Sequence, residues 1–154
     1  MVDANVLVAG AGWPRFPYEV LRHAVLDDYQ LVLSPFVIDE ARKHISRLFP
    51  QVIDQFDTVL SASNYEEIPD PSKEELAAHA GLVRDREDIP VALAAINAQV
   101  DYLISQDKDL TDPSEPIHQY LTVLLPGTFL HEHMGWTSDQ LEAIRKRNWG
   151  DLKD

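Results

Sequence analysis

The chain has 154 residues, 45% hydrophobic and 25% charged, with no cysteine. That suits one compact domain able to bury a core without covalent staples, and it excludes disulfides, Cys-ligated zinc, iron–sulfur clusters and a thiol nucleophile. Lys and Arg number 13 against 26 Asp and Glu, a formal net charge of −13, which argues against broad phosphate binding and leaves either a solvated acidic surface or acids gathered around a cation.

Strand-like and helix-like segments alternate along the chain, which predicts an α/β fold with a mainly parallel sheet. Met1–Val2 runs into Asp3 and then into the apolar Asn5–Ala9 segment, where Gly10, Gly12, Pro14 and Pro17 break regularity. Tyr18 to Leu26 reads as a helix and Tyr29 to Leu33 as a short buried strand. Ser34-Pro35 opens a helix to about Phe49, because Ser caps and Pro is tolerated at the first helical position. Pro50 starts another, through Leu60. After a turn at Pro69, Pro71 and Ser72, the run Ser72-Lys73-Glu74-Glu75 matches a capping box. Asp88-Ile89-Pro90 opens the most helical segment, through Gln99, with Asp88 as its N-cap. Tyr102–Ser105 and Thr122–Leu125 read as strands, and Pro126–His133 as a helix. Thr137-Ser138-Asp139-Gln140 is a second capping box, beginning a last helix to about Asn148. No apolar run is long enough to cross a membrane, and no basic stretch precedes an apolar one at the N-terminus, so a cytoplasmic protein with no membrane partner is expected.

In a parallel sheet the ligand crevice lies at the carboxyl ends of the strands, where the amino ends of the following helices also emerge. Asp3 follows the first strand, Glu40 lies in the second turn of the helix after Tyr29–Leu33, Asp88 heads its helix, and Asp107 follows Tyr102–Ser105. These acids should therefore share one edge. Asp101 precedes its strand and should lie at the opposite edge. Helical phase sets Glu40 beside the apolar stripe of Val37, Ala41, Ile45 and Leu48, and points Asp39 away from it. Each acid alone has an ordinary reading as a cap, turn or surface charge. Together, without a matching lysine or arginine, they repel one another and call for a hard divalent cation such as Mg²⁺ or Mn²⁺.

These stretches resemble PIN-domain nucleases. Val2-Asp3-Ala4-Asn5-Val6-Leu7-Val8 resembles the family's opening, where a strand ends in Asp and an Asn or Ser follows two residues later. Leu31 to Glu40, Arg84 to Ala95, and Tyr102-Leu103-Ile104-Ser105-Gln106-Asp107-Lys108-Asp109-Leu110 are similar to its later acidic stretches. Val123-Leu124-Leu125-Pro126 with Phe129-Leu130 looks like the last strand and helix of the VapC-like prokaryotic branch, the toxins of toxin–antitoxin pairs. The resemblance spans roughly Met1 to His133. It implies a three-layer α/β/α PIN-like, Rossmann-like fold with a four- to five-stranded mainly parallel sheet. It also implies a metal-dependent endoribonuclease with an RNA substrate, a protein antitoxin and a homodimer. Asp3, Glu40, Asp88 and Asp107 would be the catalytic, metal-holding acids, with Asp85 the rival of Asp88. Asn5 would orient the Asp3 carboxylate, with Ser105 beside the acids and Asp109 as an outer helper. Family members carry several strand residues before the first Asp, whereas here only Met1 and Val2 precede it. The first strand is either very short or begins upstream.

Residues 134–154 have no clear family counterpart and read as a helical extension on or beside a 1–133 nuclease domain. Their basic run, Arg145-Lys146-Arg147 with Trp149, reads as a solvated face with nucleic acid or a partner as the alternative. Gly10-Ala11-Gly12 lacks the third glycine of a dinucleotide loop, and His131-Glu132-His133 lacks the i, i+4 spacing of a helical zinc pair. The leading expectation is an Mg²⁺- or Mn²⁺-dependent ribonuclease, and the alternative is a catalytically weak PIN-fold binding or regulatory module.

Overall fold

Apolar strand cores in this chain run almost at once into helix starts, and that keeps the strands short. The computed structural model describes residues 1–152. In chain order it contains α1 (Ala4–Gly12), α2 (Phe16–Val25), β1 (Val32–Leu33), α3 (Pro35–Leu48), α4 (Ile53–Ser63), β2 (Glu66–Glu67) and α5 (Lys73–Ala78). There follow α6 (Ile89–Asn97), β3 (Leu103–Ile104), α7 (Lys108–Thr111), β4 (Val123–Leu124), α8 (Pro126–His133) and α9 (Ser138–Ile144). After β1, the Ser34 hydroxyl accepts from the Val37 N–H and Pro35 starts α3. After β3, Asp107 caps α7, and after β4, Pro126 begins α8.

The continuous four- to five-stranded sheet expected from sequence is replaced by two two-stranded parallel sheets, β1–β2 and β3–β4. Val32 faces Glu66, and Leu103 faces Val123. Val2 adds a single parallel bridge to Ile104, with the Asp3 N–H donating to the Ile104 carbonyl at 2.9 Å. Two-residue ladders are what remains when Ser34-Pro35 and Leu125-Pro126 end the pairing, since proline has no N–H to donate. Leu103 and Ile104 point to opposite faces of the sheet, yet both are essentially inaccessible to water. Both faces of β3 are therefore covered, as in α/β folds.

Asn5–Ala9, which the sequence left without an element, lies inside α1. Gly10 and Gly12 do not break this helix; they let it approach its neighbours. A Cβ on Gly10 would sit 2.7 Å from Leu21 Cδ1, and one on Gly12 2.7 Å from the Phe49 ring. α6 is buried almost all round through Val91–Ala95, so it is a central helix. Both capping boxes form, at Ser72/Glu75 and at Thr137/Gln140.

α9 ends at Ile144, short of Asn148, and the chain after it folds back onto α1 and α2. The Arg147 guanidinium donates to the Pro14 carbonyl at 2.6 Å and to Glu19 at 2.9 Å, and Trp149 Nε1 donates to the Gly12 carbonyl at 3.0 Å. The basic run is thus no solvated face at Arg147, whose side chain is mostly buried against an acid and a carbonyl.

Candidate functional site

The site starts where β3 and the first segment end side by side. Asp3 is buried and caps α1, with Oδ1 accepting from the Ala4 N–H at 2.7 Å. The Ser105 hydroxyl, just past β3, donates to Asp3 Oδ2 at 2.8 Å and accepts from the Asp107 N–H at 3.1 Å. Asn5 donates to Asp3 Oδ2 and to Ser105 Oγ, both at 3.4 Å, and accepts from the Gln106 N–H at 3.1 Å. Asn5 and Ser105 therefore lash the two strand ends together and fix the Asp3 carboxylate. Asp107 caps α7, with Oδ1 accepting from the Asp109 N–H at 2.8 Å. Burial pushes the Asp3 carboxyl above its ordinary pKa; bonds from Ser105 and Ala4 oppose this and the Asp107 charge adds to it.

Asp88 is the most perturbed carboxyl. Burial, a shared hydrogen bond with Asp107, and the charges of Asp107, Asp3 and Asp85 push it up to about 8. One of its oxygens, Oδ2, is buried without a hydrogen-bond partner. Asp88 does not cap α6 as expected; it makes no side-chain cap bond, because it closes a 3₁₀ turn, Arg86–Asp88, in helical conformation. Asp85 caps that turn instead, accepting from the Glu87 N–H at 2.9 Å.

Asp3, Glu40, Asp88 and Asp107 all line one cleft of about 770 Å³ between α1, α3 and α6. Asp101 lines a different cavity with Met1 and Tyr102, at the opposite ends of the strands. Asp39 is exposed and Glu40 half-buried, as helical phase requires. Leu48 departs from the expected buried stripe: it is 53% exposed and lines the same cleft. Asp85 and Asp109 do not line the cleft. With Asp88 they form the one grouping, among the described residues, in which three acids each place a carboxylate oxygen within 4.8 Å of the others; Asp3, Glu40 and Asp107 line the cleft at wider spacing. Asp109 is paired with Arg84 at 2.5 Å, and Arg84 also reaches Glu115 at 3.3 Å. Among the described residues, no lysine or arginine pairs with Asp3, Asp88 or Asp107.

Sequence reasoning passed over Lys43, His44 and Trp13, which line the same cleft. The first two were within reach, since Glu40, Lys43 and His44 stand at i, i+3 and i+4 on one helix face. His44 Nε2 lies 3.6 Å from a Glu40 oxygen. The imidazoles of His131 and His133 go elsewhere: His131 to the Trp136 carbonyl at 2.7 Å, His133 onto the Tyr102 ring.

A divalent ion fits the residues present. The donors are hard carboxylate oxygens from separate elements, one buried oxygen lacks any partner, and the mutual repulsion has no cation to relieve it. Among the described residues no helix is long and apolar enough to cross a membrane. A family model described as PIN domain matches residues 1–109. No curated protein and no solved structure matches the chain.

Proposed function

Because the chain belongs to the PIN-domain family, whose members are generally nucleases, we propose that it is a divalent-metal-dependent endoribonuclease that hydrolyses RNA phosphodiester bonds. The observation that carries the reading is the cleft that Asp3, Glu40, Asp88 and Asp107 line from separate elements, with a buried oxygen of Asp88 unpartnered. Asp3 and Asp107 would hold the Mg²⁺ or Mn²⁺ ion directly, while Glu40 and Asp88 complete the ligand set or orient water. When bound, such an ion neutralises charge on the scissile phosphate and makes water a stronger nucleophile at neutral pH.

The chain's own residues prepare that chemistry. Ser105, Asn5 and the Ala4 N–H hold the Asp3 carboxylate in one orientation. The Asp109 N–H does the same for Asp107. Asp88 would release its proton to solvent on binding a cation, because its raised pKa comes from burial and from neighbouring negative charge. From the resemblance to the toxin branch, we further read the protein as a cytoplasmic, homodimeric toxin restrained by a protein antitoxin, with residues 134–154 as an extension of a 1–133 nuclease domain.

The test is RNA cleavage with Mn²⁺, with Mg²⁺ and with chelator, for the wild type and for Asp3→Asn and Asp107→Asn. Cleavage should need the metal, and each variant should lose at least about a hundredfold. Full metal-dependent activity in either variant contradicts the assignment. Absence of both cleavage and a Mn²⁺-linked rise in melting temperature would instead favour a binding or regulatory module.

A further inference from the structure

The cleft has two chemically different ends, joined by α1. Asp3 caps the start of this nine-residue helix and Trp13 follows its last turn, so ~15 Å separates them along the axis. Between them α1 presents Asn5, Val8 and Ala9 to the cleft, and α3 presents Phe36, Glu40, Lys43, His44 and Leu48. Asp3, Asp88 and Asp107 gather at one end. Lys43 stands one helical turn beyond Glu40, exposed, and without an ion-pair partner among the described residues. Trp13 closes the other end.

Trp13 differs from the protein's other tryptophans. Trp136 and Trp149 donate their indole N–H groups to His23 and to the Gly12 carbonyl. Trp13 and Trp149 are equally exposed, at 44% and 43%, but the Trp13 indole N–H alone has no partner among the described residues. Its ring is nevertheless held in place. The Phe49 ring meets it edge-to-face at 5.3 Å and 86°. The residues on either side are pinned from the C-terminal segment: Gly12 by Trp149 and Pro14 by Arg147. An exposed aromatic ring costs solvation, and here three side chains from outside α1 keep it presented to the cleft.

We propose that Trp13 is a stacking platform for one unpaired base of the substrate, with Lys43 meeting the phosphate backbone between that base and the acids. The subsite lies a few nucleotides from the scissile bond and selects RNA that is unpaired on that side, because a base held in a duplex cannot lay its face on the ring. The C-terminal segment, outside the matched family region, serves as the buttress that fixes the platform. The proposal rests on the ribonuclease reading for its scissile bond, and on its own observations for the platform.

The experiment scans a short single-stranded RNA, removing one base at a time and leaving the backbone intact, with Mn²⁺ present. Removal at one position away from the cut should lower wild-type kcat/KM about ten- to a hundredfold, the size of one lost base–aromatic stack. The same removal should leave Trp13→Ala unaffected, and Trp13→Phe should recover most of the wild-type sensitivity, which a merely structural role would not give. In parallel, tryptophan fluorescence is followed while the RNA is added with Mg²⁺; quenching should occur in the wild type and be absent in Trp13→Phe. Cleavage with no Trp13-linked base dependence overturns the platform and spares the nuclease. Trp13-dependent quenching without cleavage spares the platform and overturns the nuclease. Neither signal overturns both.

Discussion

Two buried carboxylates show opposite solutions to the same electrostatic problem. Glu19, on α2, is 4% exposed and meets Arg22 at 2.5 Å and Arg147 at 2.9 Å. Asp3, at 8% exposed, meets a hydroxyl, an amide and a backbone N–H, with further acids beside it and no cation among the described residues. The first is a structural ion pair that ties the C-terminal segment to α2. The second keeps uncompensated charge where three capped chain segments converge, which a domain tolerates only when some other requirement keeps it there.

The contrast is sharpest where stability changes sign. Glu19→Ala removes one member of a buried network and leaves Arg147 without its acid, so unfolding free energy in urea should fall by about 3–5 kcal/mol. A loss under about 1 kcal/mol would erase the comparison. Asp88→Asn should act the other way in metal-free protein, raising stability by about 1–2 kcal/mol near neutral pH, because an amide takes up no proton on folding, with the gain limited by the part of the group that faces water. The same variant should cleave RNA poorly.

A pH titration of metal-free stability separates the acids without mutation. With its folded pKa near 8, Asp88 keeps a proton in the folded state that the unfolded chain has already lost. Stability should therefore decline as pH rises from the ordinary carboxylate range to about 8 and level off above it. Mn²⁺ should flatten that decline, since the ion takes the proton's place. A stability curve rising through this window would contradict the raised Asp88 pKa. Ser105→Ala, which removes the hydroxyl shared by Asp3 and Asp107, should weaken Mn²⁺ binding about tenfold by calorimetry. Arg84→Ala should have the smallest effect, with no measurable shift in the denaturation midpoint, because its pair with Asp109 is exposed.

The placement of the candidate acids is legible where local rules control position. Asp3 and Asp107 end apolar strand cores, and Glu40 follows from helical phase, so their shared edge could be read with Asp101 as the control on the far side. What depended on tertiary contact could not be read. Glu66 and Glu67 form β2 as an exposed pair of charges on a sheet edge, with no apolar alternation to reveal them. Gly10 and Gly12 carry a breaker signal locally but serve close helix packing. Arg147 looks like surface charge until Glu19 and Pro14, far away in sequence, are placed against it. The sheet was overcounted because short apolar runs reveal strand positions and not whether neighbouring strands reach hydrogen-bonding distance.

The most direct measurement is a crystal structure grown with Mn²⁺ and inspected by anomalous difference density. A peak is expected within coordination distance of Asp3 and Asp107, with Asp88 turned toward it or reaching it through water. A cleft without density at saturating Mn²⁺, or a peak held only by Asp85 and Asp109, would contradict that expectation.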